Sequence, residues 1–260
     1  MFWSGQMAGI ASGTAAYAVD AADFDGTNDY ITRGAGWTGA TDSSTGIISF
    51  WFRIDGGDAA LQTIFKMVVS ATDTCSVQRL ATNKLQVQLR PSGAGSTYSF
   101  TSTTSYTTST TWRHFLASWD ANAAQGAKDA LAHLYITNAN DFTAGVDNAG
   151  AFSVDYTHTN WAIGAETDGT NKVNMALAEF YFAPGQYLDF STSANRSKFI
   201  SNGKPVDLGG TGSLPTGTSP IAYFRILNGG TANLFATNLG TGGNMEISGT
   251  LDIASSSPSD

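Results

Sequence analysis

At 260 residues the chain is long enough to bury a full core within one all-β domain. Only 13% of it is charged and it holds 29 glycines, a composition that fits many short strands joined by small-residue turns and argues against a helical protein. The net charge of −8 argues against nucleic-acid binding, which needs clustered lysine and arginine to neutralise phosphates, and with no apolar run near the ~20 residues of a bilayer span, no membrane insertion is expected.

Residues 1–22 are small and weakly patterned, and an extended N-terminal arm is expected there, with Phe2 and Trp3 docking or contacting a partner. The arm lacks a positive leader region and its apolar stretch is interrupted by Gly, Ser and Thr, so no signal peptide is expected. FDGTNDYI at 24–31 reads as a strand end, a tight turn and a strand start, because Asp-Gly and Asn-Asp supply turn chemistry.

The segment 47–54, IISFWFRI, is the organising strand. At a period of two, Ile48, Phe50, Phe52 and Ile54 share one face, and Ile47, Ser49, Trp51 and Arg53 share the other. One wholly apolar face and one mixed face predict the middle of a sheet packed on a second sheet.

Further strands are expected over 63–69, 75–80, 84–90, 98–100, 112–120 and 131–137, with 101–111 an ordered edge segment and 141–151 a loop. The lone Cys75 reads as a small buried strand residue and allows no disulfide. A strand at 161–165, a hairpin turn with Asp-Gly at its tip over 166–171, and a returning strand at 173–182 follow. The run 193–200 is the one expected helix, capped by Thr192 or Ser193. The last strong strand is 221–227, a weak one lies in 245–253, and the terminal SSSPSD is expected to fray. These elements predict an all-β, antiparallel β-sandwich or jelly roll with at most one short helix. They are divided as an arm at 1–22, a sandwich at 23–227 and a Gly/Ser-rich segment at 228–260.

FDGTNDYI at 24–31, ISFWFRI at 48–54, TWRHFLASWD at 111–120, NWAIGAE at 160–166 and ALAEFYF at 176–182 together resemble the laminin-G-like branch of the concanavalin A-type lectin and glucanase sandwiches. The likeness covers about residues 20–190. The stretches at 194–217 and 238–260 are similar to the tails of laminin-G-like proteins encoded by tailed bacteriophages and prophages. The resemblance implies a non-catalytic virion structural protein, a head decoration or a tail or fibre component. Such a protein would be made in the host cytoplasm, partnered by other virion proteins and homo-oligomeric. The alternative it implies is a carbohydrate-binding module for host surface glycans.

Glycanases of this fold pair two carboxylates on a strand motif, Glu-x-Asp-x-x-Glu. The nearest match, Glu166-Thr-Asp168-Gly-Thr-Asn171, lacks the second Glu and falls on a turn, so no enzyme activity is expected. His114, His133 and His158 share no metal-binding spacing. The family's rim calcium site points to Asp25, Asp29 and Glu179 as ligands, against the more ordinary reading that Asp25 and Asn28 bond their own turn. Trp37, Tyr156 and Trp161, flanked by loops, are the glycan-binding candidates, although packing is the commoner role for any one of them. Trp51, Trp112 and Trp119 are assigned to the core.

Overall fold

The computed structural model describes residues 17–69, 72–91 and 97–260. The expected docking of Phe2 and Trp3 lies outside the described residues. In chain order the first strands are β1 (Val19–Asp20), β2 (Ala22–Asp25), β3 (Tyr30–Arg33), β4 (Thr45–Ile54), β5 (Gln62–Val69), β6 (Thr72–Arg79) and β7 (Leu85–Leu89). They are followed by β8 (Tyr98–Ser102), β9 (Arg113–Asp120), β10 (His133–Ile136), β11 (Ala139–Asn140), β12 (Phe142–Asp147), β13 (Trp161–Ile163) and β14 (Asn174–Pro184). After the four-residue helix α1 (Ser193–Arg196) come β15 (Ile200–Ser201), β16 (Lys204–Pro205), β17 (Ala222–Phe224), β18 (Ile226–Leu227), β19 (Glu246–Ser248) and β20 (Asp252–Ile253).

Two antiparallel sheets stack into a jelly-roll sandwich. The front sheet runs β11-β10-β9-β4-β14-β2-β20, with β17 beside the second half of β14. The back sheet runs β12-β8-β7-β6-β5-β13-β3-β19. As the alternation requires, Ile48, Phe50, Phe52 and Ile54 all point into the shared core and are fully buried. The Phe50 ring stacks 4.7 Å from Phe115, and Phe65 of the back sheet meets Phe182 of the front sheet at the same centroid separation. Each of these rings removes enough apolar surface from water to stabilise the fold by roughly 1.5–3 kcal/mol.

The other face of the front sheet is also covered. Ile47, Leu116 and Tyr181 pack against Phe190, Phe199 and Leu208, and Trp51 packs against Ile200 and Ala254. Chain from the last third of the sequence thus forms a third layer, which explains why every residue of β4 from Gly46 onward is buried.

β14 changes phase midway. Ala178 pairs with Trp51 and Tyr181 with Ser49, so Glu179 and Phe180 together oppose Phe50 in a bulge. Glu179 takes φ 52°, a left-handed conformation that disfavours a residue with a Cβ. The extra residue moves the core-facing set from Met175 and Leu177 to Phe180 and Phe182.

The structure corrects four sequence-based expectations. The 141–151 loop contains the edge strand β12, paired with β8. The turn at 166–171 is not a hairpin, because β13 belongs to the back sheet and β14 to the front, so the chain crosses between layers there. The C-terminus does not fray: Ser257 and Pro258 are buried, and the Ser256 hydroxyl receives hydrogen bonds from Arg53 Nη1 at 2.7 Å and Trp112 Nε1 at 3.0 Å. Nor do 228–260 stand apart from the sandwich, since β19 extends the back sheet and β20 the front.

Candidate functional site

The three aromatics expected to meet a glycan are core residues, which corrects that expectation. Trp37 lies under the Arg33 guanidinium and 5.6 Å from the Trp161 ring. Trp161 is fully buried and stacks on Phe65, its Nε1 donating to the His158 carbonyl at 2.7 Å. Tyr156 is fully buried too, its hydroxyl accepting from Trp119 Nε1 at 3.1 Å. Loops do surround them in sequence, but those loops fold over them.

The calcium set does not converge either. Asp25 Oδ1 accepts the N–H groups of Thr27 at 2.7 Å and Asn28 at 3.1 Å, the turn-bonding role. Slight burial pushes its carboxyl up, but these backbone donors outweigh it and hold the group below the ordinary range. Asp29 Oδ1 accepts the Thr250 N–H at 2.8 Å, tying the turn to the C-terminal segment. Glu179 sits at the β14 bulge, where the hydroxyls of Tyr17 and Tyr223 donate to it at 2.5 and 3.1 Å. Among the described residues no three His, Cys, Asp or Glu side chains form a metal-binding group.

Glu166 and Asp168 have structural partners. Glu166 pairs with Lys66 and accepts from Thr63 Oγ1 at 2.7 Å, while Asp168 holds its own turn through Thr170. His114 is buried against Ser49 at 2.8 Å, His133 faces Tyr187 and Asp189, and His158 faces Asp155.

A different group of residues does converge. At the β3 end of the back sheet, Tyr30, Thr32, Arg33, Asn160, Thr167 and Glu246 border a pocket of about 230 Å³. Strand alternation puts Tyr30 and Thr32 on the outer face because Ile31 is in the core. β19 lies against β3 and sets Glu246 opposite Thr32. The Lys172 ammonium stands 5.6 Å from the Tyr30 ring centre. The Arg33 guanidinium is fixed by the carbonyls of Gly36 at 3.1 Å and Asn244 at 2.9 Å. Asn160 reaches the pocket from a left-handed turn, φ 63°, that an asparagine adopts with little strain. The pocket therefore offers one aromatic ring, an amide, hydroxyls, a carboxylate and a guanidinium within one small volume. Trp161 underlies it without exposing its ring.

No single segment announces this pocket, because its lining comes from 30–34, 160–167 and 246. The Asn160-Trp161 step, an asparagine directly before a buried strand, is the one local sign of a special turn.

In fold, the chain is similar to a putative carbohydrate-binding protein from Bacteroides ovatus ATCC 8483, with a TM-score of 0.55 at 12% identity, over 92% of this chain and 60% of that one. Two further similar structures are the native heptameric SAP-like pentraxin of Limulus polyphemus and domains LG4-5 of the mouse laminin α1 chain. The pentraxin has a TM-score of 0.46 at 11% identity, over 66% of this chain and 79% of that one. The laminin domains have a TM-score of 0.46 at 13% identity, over 70% of this chain and 46% of that one. This chain thus spans less than two thirds of the Bacteroides and laminin structures. No family model and no curated protein matches it by sequence. At these identities the similarity to the Bacteroides protein shows the fold alone, an antiparallel β-sandwich.

Proposed function

We propose that the protein is a non-catalytic binding module whose ligand is a glycan, held at the Tyr30–Glu246 pocket. The observation that carries this reading is the pocket's mixed lining. A sugar presents a C–H face that packs on an aromatic ring and a rim of hydroxyls that both donate and accept. Tyr30 supplies the ring, Asn160 and Thr167 do both, Glu246 accepts and Arg33 donates. The volume suits one or two sugar units rather than a long chain bound along its length. The non-catalytic part is supported by the ties that hold Glu166 to Lys66 and Asp168 to its own turn.

A glycan array, followed by calorimetry on the best hit with and without calcium, tests the proposal. Binding that falls at least tenfold in Tyr30→Ala and Glu246→Ala supports it. Binding to no glycan, or binding untouched by both substitutions, removes it.

A second reading, a component of a bacteriophage virion, rests on the resemblance read from the sequence at 194–217 and 238–260. It is compatible with glycan binding at a particle surface. Mass spectrometry of purified particles tests it, and absence of the chain from them would refute it.

A further inference from the structure

The third layer carries an apolar patch that glycan binding does not use. Leu214, Leu227 and Leu234 are 68%, 49% and 43% exposed, unusual for a chain that buries most of its large apolar side chains. Leu227 and Leu234 wall a pocket of about 220 Å³ together with Leu239, Thr237, Gly210 and Arg225. Leu214 stands beside it, 3.0 Å from where a Cβ on Gly209 would lie. The pocket shares no lining residue with the glycan pocket, and it is smaller than the cavities that hold whole drug-sized ligands. Its size suits an anchoring side chain or two.

Charge narrows the occupant. Arg225 Nη1 donates to Asp207 at 3.0 Å and to the Tyr17 and Tyr223 hydroxyls at 3.0 and 3.2 Å, and both tyrosines donate onward to Glu179. Arg225 is the one charged residue of the lining and is already paired with Asp207, so a cationic occupant would meet it and an anionic one would compete with Asp207. An uncharged segment carrying apolar side chains therefore suits a lining that holds Leu227, Leu234 and Leu239.

The chain itself contains such a segment. Residues 1–16, MFWSGQMAGIASGTAA, include no charged side chain and place two aromatics together at Phe2-Trp3. They join the described chain at Tyr17, whose ring lies 5.7 Å from the Arg225 guanidinium. Next to it, β1 runs along β18, pairing Val19 with Leu227 of the pocket wall. The connection from Trp3 to Tyr17 can span up to ~45 Å, so reach does not limit it. We propose that the Leu227–Leu234 pocket is the docking site for the Phe2-Trp3 pair of the same chain, which would cover the exposed leucines.

Disulfide trapping in the full chain tests this. Trp3→Cys is combined with Leu234→Cys, and in a control with Val146→Cys, an exposed position on the back-sheet edge. The native Cys75 is buried and does not compete. The expected result is a 3–234 disulfide within one chain, formed at least tenfold faster than 3–146 under mild oxidation. Equal rates, or no 3–234 link, would overturn the proposal. A 3–234 link found only between chains would overturn the same-chain assignment in favour of arm exchange between copies. As a second measurement, removing residues 2–16 is expected to raise binding of an apolar dye several-fold, and Leu234→Asp in the shortened chain to reverse it. Unchanged dye binding would also overturn the proposal.

Discussion

The two sheets share a core but differ in what lies on their outer faces. Outside the front sheet, Trp51, Leu116 and Tyr181 are sealed under a third layer drawn from the last third of the chain. Outside the back sheet, the alternation places Thr32, Lys66, Ser76, Gln78, Gln86 and Gln88, a polar set of which Lys66, Ser76 and Gln78 are buried, and among the described residues no hydrophobic cluster covers it. The front sheet is therefore built as a spine, buried on both sides. The back sheet keeps polar chemistry on its outer face, and the pocket bordered by Tyr30, Arg33 and Glu246 lies at one end of it. The proposed glycan pocket thus lies on the face with the more polar outer surface.

The sharpest test of this contrast is core truncation on either side of the front sheet. Phe50→Ala and Trp51→Ala should each destabilise by about 3–5 kcal/mol in urea unfolding, because both leave cavities in apolar surroundings. A loss below about 1 kcal/mol for Trp51→Ala would show that the third layer merely rests on the sheet.

Two buried titratable groups under that layer give opposite pH dependences. Burial pushes the Glu179 carboxyl up to about 7, against the lowering effects of the Tyr17 and Tyr223 hydroxyls and the Arg225 charge. In the unfolded chain it titrates near 4.5, so its stabilising contribution is complete below that pH and is lost as pH rises through 7. Burial pushes the His114 imidazole down to about 3. Its contribution is complete above 6.5 and is lost as pH falls toward 3. Each effect is on the order of a few kcal/mol. Glu179→Gln should remove the alkaline loss and leave the acid one, and His114→Gln should do the reverse. Urea midpoints measured from pH 4 to 9 check both, and an unchanged profile in either variant would reject its assignment.

Deleting residues 255–260 should destabilise by about 1–3 kcal/mol, since Arg53 and Trp112 lose the Ser256 hydroxyl and Arg53 remains mostly buried. The smallest effects belong to the back sheet's outer face. Gln88→Ala and Tyr30→Ala should each change stability by no more than about 0.5 kcal/mol. Tyr30→Ala should nonetheless abolish glycan retention, and a large stability loss there would undo the contrast.

Much of the sandwich was legible in the sequence. The faces of β4 and β7 were readable because one side of each meets the shared core, so the alternation survives in the residue order. β12 was not, since an edge strand exposed over Ala144–Val146 has little apolar pattern to show. The β14 bulge was hidden because ALAEFYF reads equally well in either phase, and only the pairing with β4 reveals the extra residue. For the candidate site, the turn-bonding role of Asp25 was readable from FDGTND, a purely local matter. Choosing aromatics by their flanking loops failed for Trp37, Tyr156 and Trp161, because a short window does not tell whether a loop opens outward or folds over its neighbour.

The sequence by itself determined the strands that face the shared core, such as β4 and β7, and which of their side chains turn inward, because a period of two is a property of consecutive residues. Only the tertiary structure decided that the spine strand is buried on both sides, that Glu179 breaks the phase of its strand, and that Tyr30, Asn160 and Glu246 meet. Those outcomes depend on which strands become neighbours, and residues more than two hundred positions apart leave no mark on each other's local pattern.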